Sequence, residues 1–277
     1  MTSLNHNSIS EIRALLDSRG IALKKRFGQN FLVDGNIRTR LGDRIVGELP
    51  NPLPPDREVW EIGPGLGALT DELLARNVPL RLFEIDRGVI AILRERYGDD
   101  PPIEEGDFLD TFGAAPPPGA IVGNLPYHSA GAIIPRIVET GVPAPVMVFL
   151  LQREMVDRIT AAVGNKNYSA FSVLVQNHYT VSIAFHVPAV AFYPRPRVDS
   201  AVAIFRERPE RPDPRLSAQL SRVTRTAFAQ RRKTLRNTLK AYLPQLQACG
   251  IDPSLRPEHL PPERFLAIAQ QICLEMS

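Results

Sequence analysis

Between Val59 and Gln152 the chain alternates two kinds of segment in a way that leaves few folds open. Short strand-like runs recur as "VWEIG" (59–63), "LRLFEID" (80–86), "IEEGD" (103–107), "AIVGN" (120–124) and "PVMVFLLQ" (145–152), with helical stretches such as "GALTDELLAR" (67–76) and "RGVIAILRERY" (87–97) between them. Strands joined by helical crossovers pair in parallel, and the crossovers cover both faces of the sheet. The expected fold class is therefore α/β, built on a mostly parallel sheet. Two later runs, "TVSIAFHVP" (180–188) and "AVAIFRE" (201–207), have only the Pro-rich "AVAFYPRPRVDS" between them, so they are expected as an antiparallel pair at one sheet edge. The segment "RPERPDP" (208–214) reads as a linker, and the rest of the chain is helical in pattern: "RLSAQLSRVTRTAFAQ", "RRKTLRNTLKAYL" and "PPERFLAIAQQICLEM". This predicts a division into residues 1–207, carrying the sheet and an N-terminal helical extension, and a small all-α domain over 208–277.

The N-terminal extension has its own punctuation. "SISE" (Ser8 to Glu11) has capping-box spacing ahead of Ile12, Leu15 and Leu16, and Asp34 can cap a second helix bearing Ile37, Leu41 and Ile45. The basic "KKRFGQNFLVD" (24–34) between them is irregular. The longest apolar run, "APVMVFLL" (144–151), is too short to span a bilayer, and "MTSLNHNSIS" lacks the charged and apolar pattern of a secretory signal. Cys249 and Cys273 form no C-x-x-C pair, which suggests reduced thiols and a cytoplasmic protein. The five histidines show no metal-ligand spacing, and no metal is expected.

The formal charge of +3 hides a split. Residues 206–277 hold 13 Lys and Arg against 7 Asp and Glu, a net of +6, which leaves −3 for residues 1–205. A basic tail domain on a near-neutral body suits a polyanionic partner, and a solvated basic surface is the other reading.

Chemistry-bearing residues fall at successive strand ends. In "EIGPGLG" (61–67), Gly63, Gly65 and Gly67 allow a tight strand-to-helix turn and close approach of a ligand, although a plain turn would look similar. No Lys-Ser/Thr follows, which argues against a phosphate-cradling loop. Glu84 ends the second strand, where a carboxylate can accept both hydrogen bonds of a ribose diol. Asp107, ending the third, can receive an adenine amine. A nucleoside pocket without phosphate ligands points to S-adenosylmethionine more than to NAD. The fourth strand ends in "NLPY" (124–127). An exocyclic adenine amine is a poor nucleophile because its lone pair is delocalised into the ring. The Asn124 side-chain carbonyl and the Leu125 backbone carbonyl could accept its two N–H bonds and favour a pyramidal nitrogen. Pro126 has no N–H to compete, and Tyr127 offers a face for stacking.

"FGQNFL", "EIGPGLGALT", "EID", "GDFL", "NLPY", "FYPRPRVDSAV" and "FAQRRKTLRNTL" occur in an order and spacing that resemble the small-subunit ribosomal RNA adenine dimethyltransferases, from about Lys24 to the C-terminal helices. The resemblance implies a Rossmann-like methyltransferase fold and S-adenosylmethionine as donor. It implies dimethylation of two adjacent adenosines near the 3′ end of small-subunit rRNA, within an immature small subunit. It places Asn30, Leu32, Gly63, Glu84, Asp107 and Asn124 on the cofactor, and Asn124, Leu125, Tyr127 and Phe192 around the target base. Family members often continue NLPY with Asn-Ile, whereas here His128-Ser129 follows; His128 reads as a rim or buried residue rather than a base.

Three other readings compete. Macrolide-resistance methyltransferases share NLPY-type chemistry but modify large-subunit rRNA, and "FAQRRKTLRNTL" favours the small-subunit enzymes. DNA adenine methyltransferases usually carry Asp-Pro-Pro-Tyr or Asn-Pro-Pro-Tyr, from which Leu125 departs. An assembly or transcription factor that lost methylation would have no need of an intact Gly loop, Glu84, Asp107 and NLPY. Nothing resembles a dimer seam, so a monomer is expected.

Overall fold

A computed structural model describes residues 4–21, 30–126, 129–230 and 232–275. Its elements, in chain order, are α1 (Ile9–Ser18), β1 (Phe31–Leu32), α2 (Gly35–Val46), β2 (Val59–Ile62), α3 (Ala68–Leu74), β3 (Leu80–Glu84), α4 (Arg87–Tyr97), β4 (Ile103–Glu105), α5 (Phe108–Thr111), β5 (Ala120–Asn124) and α6 (Ala130–Thr140). There follow β6 (Val146–Gln152), α7 (Arg153–Ile159), α8 (Ala170–His178), β7 (Tyr179–Val187), β8 (Phe192–Tyr193), β9 (Ser200–Glu207), α9 (Pro214–Phe228), α10 (Leu235–Thr238), α11 (Leu243–Ala248) and α12 (Pro262–Glu275).

Seven strands form one sheet in the order β4-β3-β2-β5-β6-β9-β7. The pairs β2·β3, β3·β4, β2·β5 and β5·β6 are parallel, with Val59 opposite both Leu80 and Ala120. All four residues of β2 are buried, as expected of a parallel strand covered on both faces. Strand order reverses between β2 and β5: β3 and β4 are laid down on one side, β5 and β6 on the other. In open α/β sheets the crevice at such a reversal, beyond the carboxyl ends of the strands, is where ligands bind. The edge pair β9·β7 is also in place. The Arg208 N–H donates to His178 O, and Arg206 Nη1 to Ser182 Oγ, so numbers rise on one strand as they fall on the other, the register of antiparallel neighbours.

The chain divides into two units. The first comprises residues 1–133, 143–153 and 183–205; the second comprises 134–142, 154–182 and 206–277. In the first, Ser8 caps α1 by accepting from the Glu11 N–H at 3.2 Å, and Asp34 caps α2 by accepting from the Ile37 N–H at 3.0 Å. These two caps agree with the sequence reading. A two-residue ladder that sequence pattern does not reveal, β1·β8, pairs Phe31 with Tyr193 and Leu32 with Phe192. One core cluster gathers Leu41, Ile45, Val59, Leu82, Val122, Val148, Phe192 and Val202; a smaller one joins Ile12, Leu16, Phe31, Leu66 and Ile92.

In the second unit α8, α9 and α12 pack together. Phe228 stacks against Tyr168 and Phe265 at 5.8 and 5.7 Å between ring centroids, and the buried Tyr168 hydroxyl donates to Leu260 O. The sequence "RRKTLRNTLKAYL" is not one helix. Arg231 lies outside the described residues, and the helical part of the rest is the single turn α10, followed by a 3-10 turn at Lys240–Tyr242 and then α11. The Leu235 and Arg236 N–H groups donate to Leu255 O and Pro253 O. Those loop carbonyls satisfy the open end of α10, and the backbone at Leu239 (φ −107°, ψ 34°) ends it. Arg232, Arg236 and Lys240 are exposed but do not share one helix face.

Candidate active site

The carboxyl ends of β2, β3, β4 and β5 open into a cavity of about 420 Å³, within the range that encloses a cofactor-sized ligand. Gly63, Glu84, Asp107, Asn124 and Leu125, expected at the site, all border it, as do Asn30 and Leu32. Tyr127 and His128 lie outside the described residues.

The glycine loop takes its shape from positive φ at Gly63, Gly65 and Gly67 (68°, 56° and 84°). A Cβ on Gly67 would fall 2.2 Å from the Tyr97 hydroxyl, so only glycine fits where the loop enters α3. A Cβ on Gly65 would reach 3.4 Å from the Phe31 ring, another cavity wall. Glu84 is 7% exposed and locks the loop to the end of β3. Its Oε2 accepts from the Gly65 N–H at 3.3 Å, and its Oε1 from the Ile85 and Asp86 N–H groups at 2.9 Å each. Burial pushes this carboxyl above its ordinary range, against the pull of those three donors. Asp107 is exposed and caps α5, with Oδ1 accepting from the Leu109 N–H at 2.9 Å.

Asn124 is fixed in orientation. Its Nδ2 donates to Asn30 O at 2.9 Å, which makes Oδ1 the acceptor of the amide. The Leu125 N–H donates to Leu150 O at 3.2 Å. Among the described residues no donor is bonded to Asn124 Oδ1 or Leu125 O. Two consecutive residues thus offer two acceptors at the cavity wall.

Phe192 is placed differently from the expectation that it faces the base. It is 3% exposed, is paired to Leu32 in the β1·β8 ladder, and packs in the larger core cluster. Side chains alternate along a strand, so the next residue, Tyr193, turns to the smaller cluster and receives a hydrogen bond from Arg13 Nε at 2.6 Å. Neither aromatic borders the cavity.

Two further wall residues stand out. Glu61, in the middle of β2, is 1% exposed; Thr70 Oγ1 donates to its Oε2 at 2.7 Å, and burial raises its carboxyl to about 8. A lone carboxylate inside the apolar run "VWEIG" was the available signal for it. His6 is the other, and nothing in its local sequence marks it.

Among the described residues the titratable walls are His6, Glu61, Glu84 and Asp107, with no Lys or Arg. A dinucleotide brings phosphates, for which these walls supply no Lys or Arg among the described residues. S-adenosylmethionine brings a sulfonium and an ammonium, which they suit, and the residues present fit that cofactor.

A family model described as "Ribosomal RNA adenine dimethylase" matches residues 20–273. The chain belongs to that family. Among curated proteins of this dimethylase family, one from Treponema denticola, named Ribosomal RNA small subunit methyltransferase A, is 35% identical over 97% of this chain and 96% of its own length. One of the same name from Aromatoleum aromaticum is 42% identical over 90% of this chain and 94% of its own. Among solved structures, the 23S rRNA methyltransferase ErmE is 26% identical, with a TM-score of 0.61 over 88% of this chain and all of that one. A dimethyladenosine transferase from Plasmodium falciparum has the same fold, with a TM-score of 0.70 at 21% identity, over 88% of this chain and 97% of that one. The dimethylase is thus an S-adenosylmethionine-dependent enzyme. Among its described residues no helix is long and apolar enough to cross a membrane, and no group of three or more His, Cys, Asp or Glu could hold a metal.

Proposed function

We propose that this enzyme dimethylates the exocyclic amines of two adjacent adenosines near the 3′ end of small-subunit rRNA, acting as a cytoplasmic monomer on immature small subunits. Family membership carries the reaction class, rRNA adenine dimethylation. The relatives named for the small subunit support the choice of substrate. S-adenosylmethionine supplies the methyl group, activated by the sulfonium.

The observation that carries the residue roles is that Asn124 Oδ1 and Leu125 O, on two residues that border the cavity, have no bonded donor among the described residues. They accept the two N–H bonds of the target amine, draw its lone pair out of conjugation with the ring and hold it toward the cavity. Pro126 keeps a competing N–H out of that turn. No strong base is needed, because the amine becomes acidic once methylated. Glu84 takes the ribose hydroxyls of the cofactor, Asp107 its adenine amine, and Asn30, Leu32 and Gly63 shape the remaining wall. Tyr127 stacks on the base. A stacking role for Phe192 requires its ring to leave the core when RNA binds.

The second reading, large-subunit rRNA, is favoured by the likeness to ErmE alone. The test is incubation with labelled S-adenosylmethionine and undermethylated small or large subunits, followed by mapping of the modified positions. Label at two adjacent adenosines of small-subunit rRNA is expected. Label confined to large-subunit rRNA would overturn the substrate assignment, and none in either would overturn the activity.

A further inference from the structure

Residues 4–18 precede the region that the family model matches, yet they reach the cofactor cavity. His6 is 6% exposed and borders it. His6 Nε2 lies 2.9 Å from Asp71 Oδ2 in α3. The Tyr97 hydroxyl donates to Asp71 Oδ1 at 2.6 Å and Arg96 Nη2 to Oδ2 at 2.5 Å, while Arg96 Nη1 donates to Leu66 O within the glycine loop. Burial alone would push the Asp71 carboxyl up, but hydrogen bonds from His6, Tyr97 and Arg96 hold it below the ordinary range. It is therefore an ionised acceptor, and His6 Nε2 is the donor.

The next residue reaches the other way. Asn7 Oδ1 accepts from Arg38 Nη2 at 2.7 Å, and the same guanidinium donates through Nη1 to Leu32 O at 3.2 Å. Asn7 packs so closely on the start of α2 that a Cβ on Gly35 would lie 3.1 Å from its Oδ1. Behind this dipeptide, α1 is anchored by Ile12 and Leu16, which cluster with the cavity residues Phe31 and Leu66. Arg13 and Arg19 add hydrogen bonds to Tyr193 and Glu95.

We propose that His6 and Asn7 are positioning residues for the cofactor, tying the glycine loop and α3 to β1 so that the two walls of the cavity are held in register before the ligand arrives. His6 closes part of the wall itself, and Asn7 acts through Arg38 on the carbonyl of Leu32. Without the tie the walls must be ordered at the moment of binding, and that cost is subtracted from affinity. The inference rests on the assignment of this cavity to S-adenosylmethionine.

The experiment is calorimetric titration of the full chain with S-adenosylmethionine, for wild type, His6→Phe, His6→Gln and Asn7→Ala, with the unfolding temperature of each ligand-free protein measured alongside. Phe keeps the volume of the ring and loses the donor, whereas Gln keeps a donor. We expect about tenfold weaker binding for His6→Phe and Asn7→Ala, near wild-type binding for His6→Gln, and a KM that rises for the cofactor but not for RNA. Wild-type affinity in His6→Phe would overturn the inference, as would equal losses in the Phe and Gln variants or a KM for RNA that rises in step. Failure of the wild type to bind S-adenosylmethionine would instead overturn the cofactor assignment on which it rests.

Discussion

At Asn124 one bond decides which end of the amide is left as an acceptor. With Nδ2 given to Asn30 O, Oδ1 is the acceptor that the proposed mechanism assigns to the substrate. Asn124→Ala should lower turnover by about 10²–10³ with the fold retained, the usual cost of removing a preorganised transition-state hydrogen bond; single-turnover kinetics would check it. Glu84→Gln should weaken cofactor binding by calorimetry, since the proposed bonds to the ribose hydroxyls would lose their charge and roughly half their strength. Glu61 calls for a different measurement. Its carboxyl rises from 4.5 to about 8 in the folded chain, so between those values the folded state holds a proton that the unfolded state has released. Stability must therefore fall as pH rises across that window, by up to about 1.4 kcal/mol per pH unit. Glu61→Gln mimics the protonated form and should flatten the decline in the unfolding temperature of the ligand-free protein between pH 5 and 8. A parallel decline in the variant would show that other groups cause it.

At the scale of elements, the strands were legible because a parallel strand buried on both faces is a short apolar run, and β5 matches "AIVGN" residue for residue. The β1·β8 ladder was not legible, because two residues carry no periodicity and the pairing is set by a partner far along the chain. The α10 helix misled for a related reason. Leu235 and Leu239 are buried, but carbonyls from residues 253 and 255 take the N-terminal donors of α10, and the backbone at Leu239 ends it after one turn. At the site, the strand-end residues Glu84, Asp107 and Asn124 could be read from position alone. Glu61 was marked only as a lone carboxylate in an apolar run, and His6 not at all, since a partner in another element gives each its place. Arg232, on a turn, and Arg236, on α10, are both exposed cations. We propose that both contact rRNA phosphates. Their joint replacement by Ala should flatten the log–log salt dependence of small-subunit binding by about 0.7–0.9 per lost contact, leaving cofactor affinity unchanged. An unaltered slope would assign them to the solvated surface.

For the whole molecule, a cavity whose described walls are largely apolar and carry no Lys or Arg makes a prediction that needs no RNA. S-adenosylmethionine at about 100 times its Kd should stabilise the folded chain by about 2.7 kcal/mol and raise its unfolding temperature by about 5–10 °C, whereas NAD at the same concentration should not move it. An equal shift with NAD would contradict the reading of those walls.

The β1·β8 ladder also sets a timetable. Leu32 and Asn30 border the cavity, but the strand that pairs with β1 is synthesised some 160 residues later. At about 5–20 residues per second, a growing chain spends roughly 10–30 s with one side of that cavity wall unpaired. Stretches belonging to the second unit, 134–142 and 154–182, emerge during that interval. The Asn30–Leu32 side of the cavity therefore gains its β-partner only after NLPY and much of the second unit have been made, and a chain ending before Phe192 carries NLPY without the strand that pairs with β1.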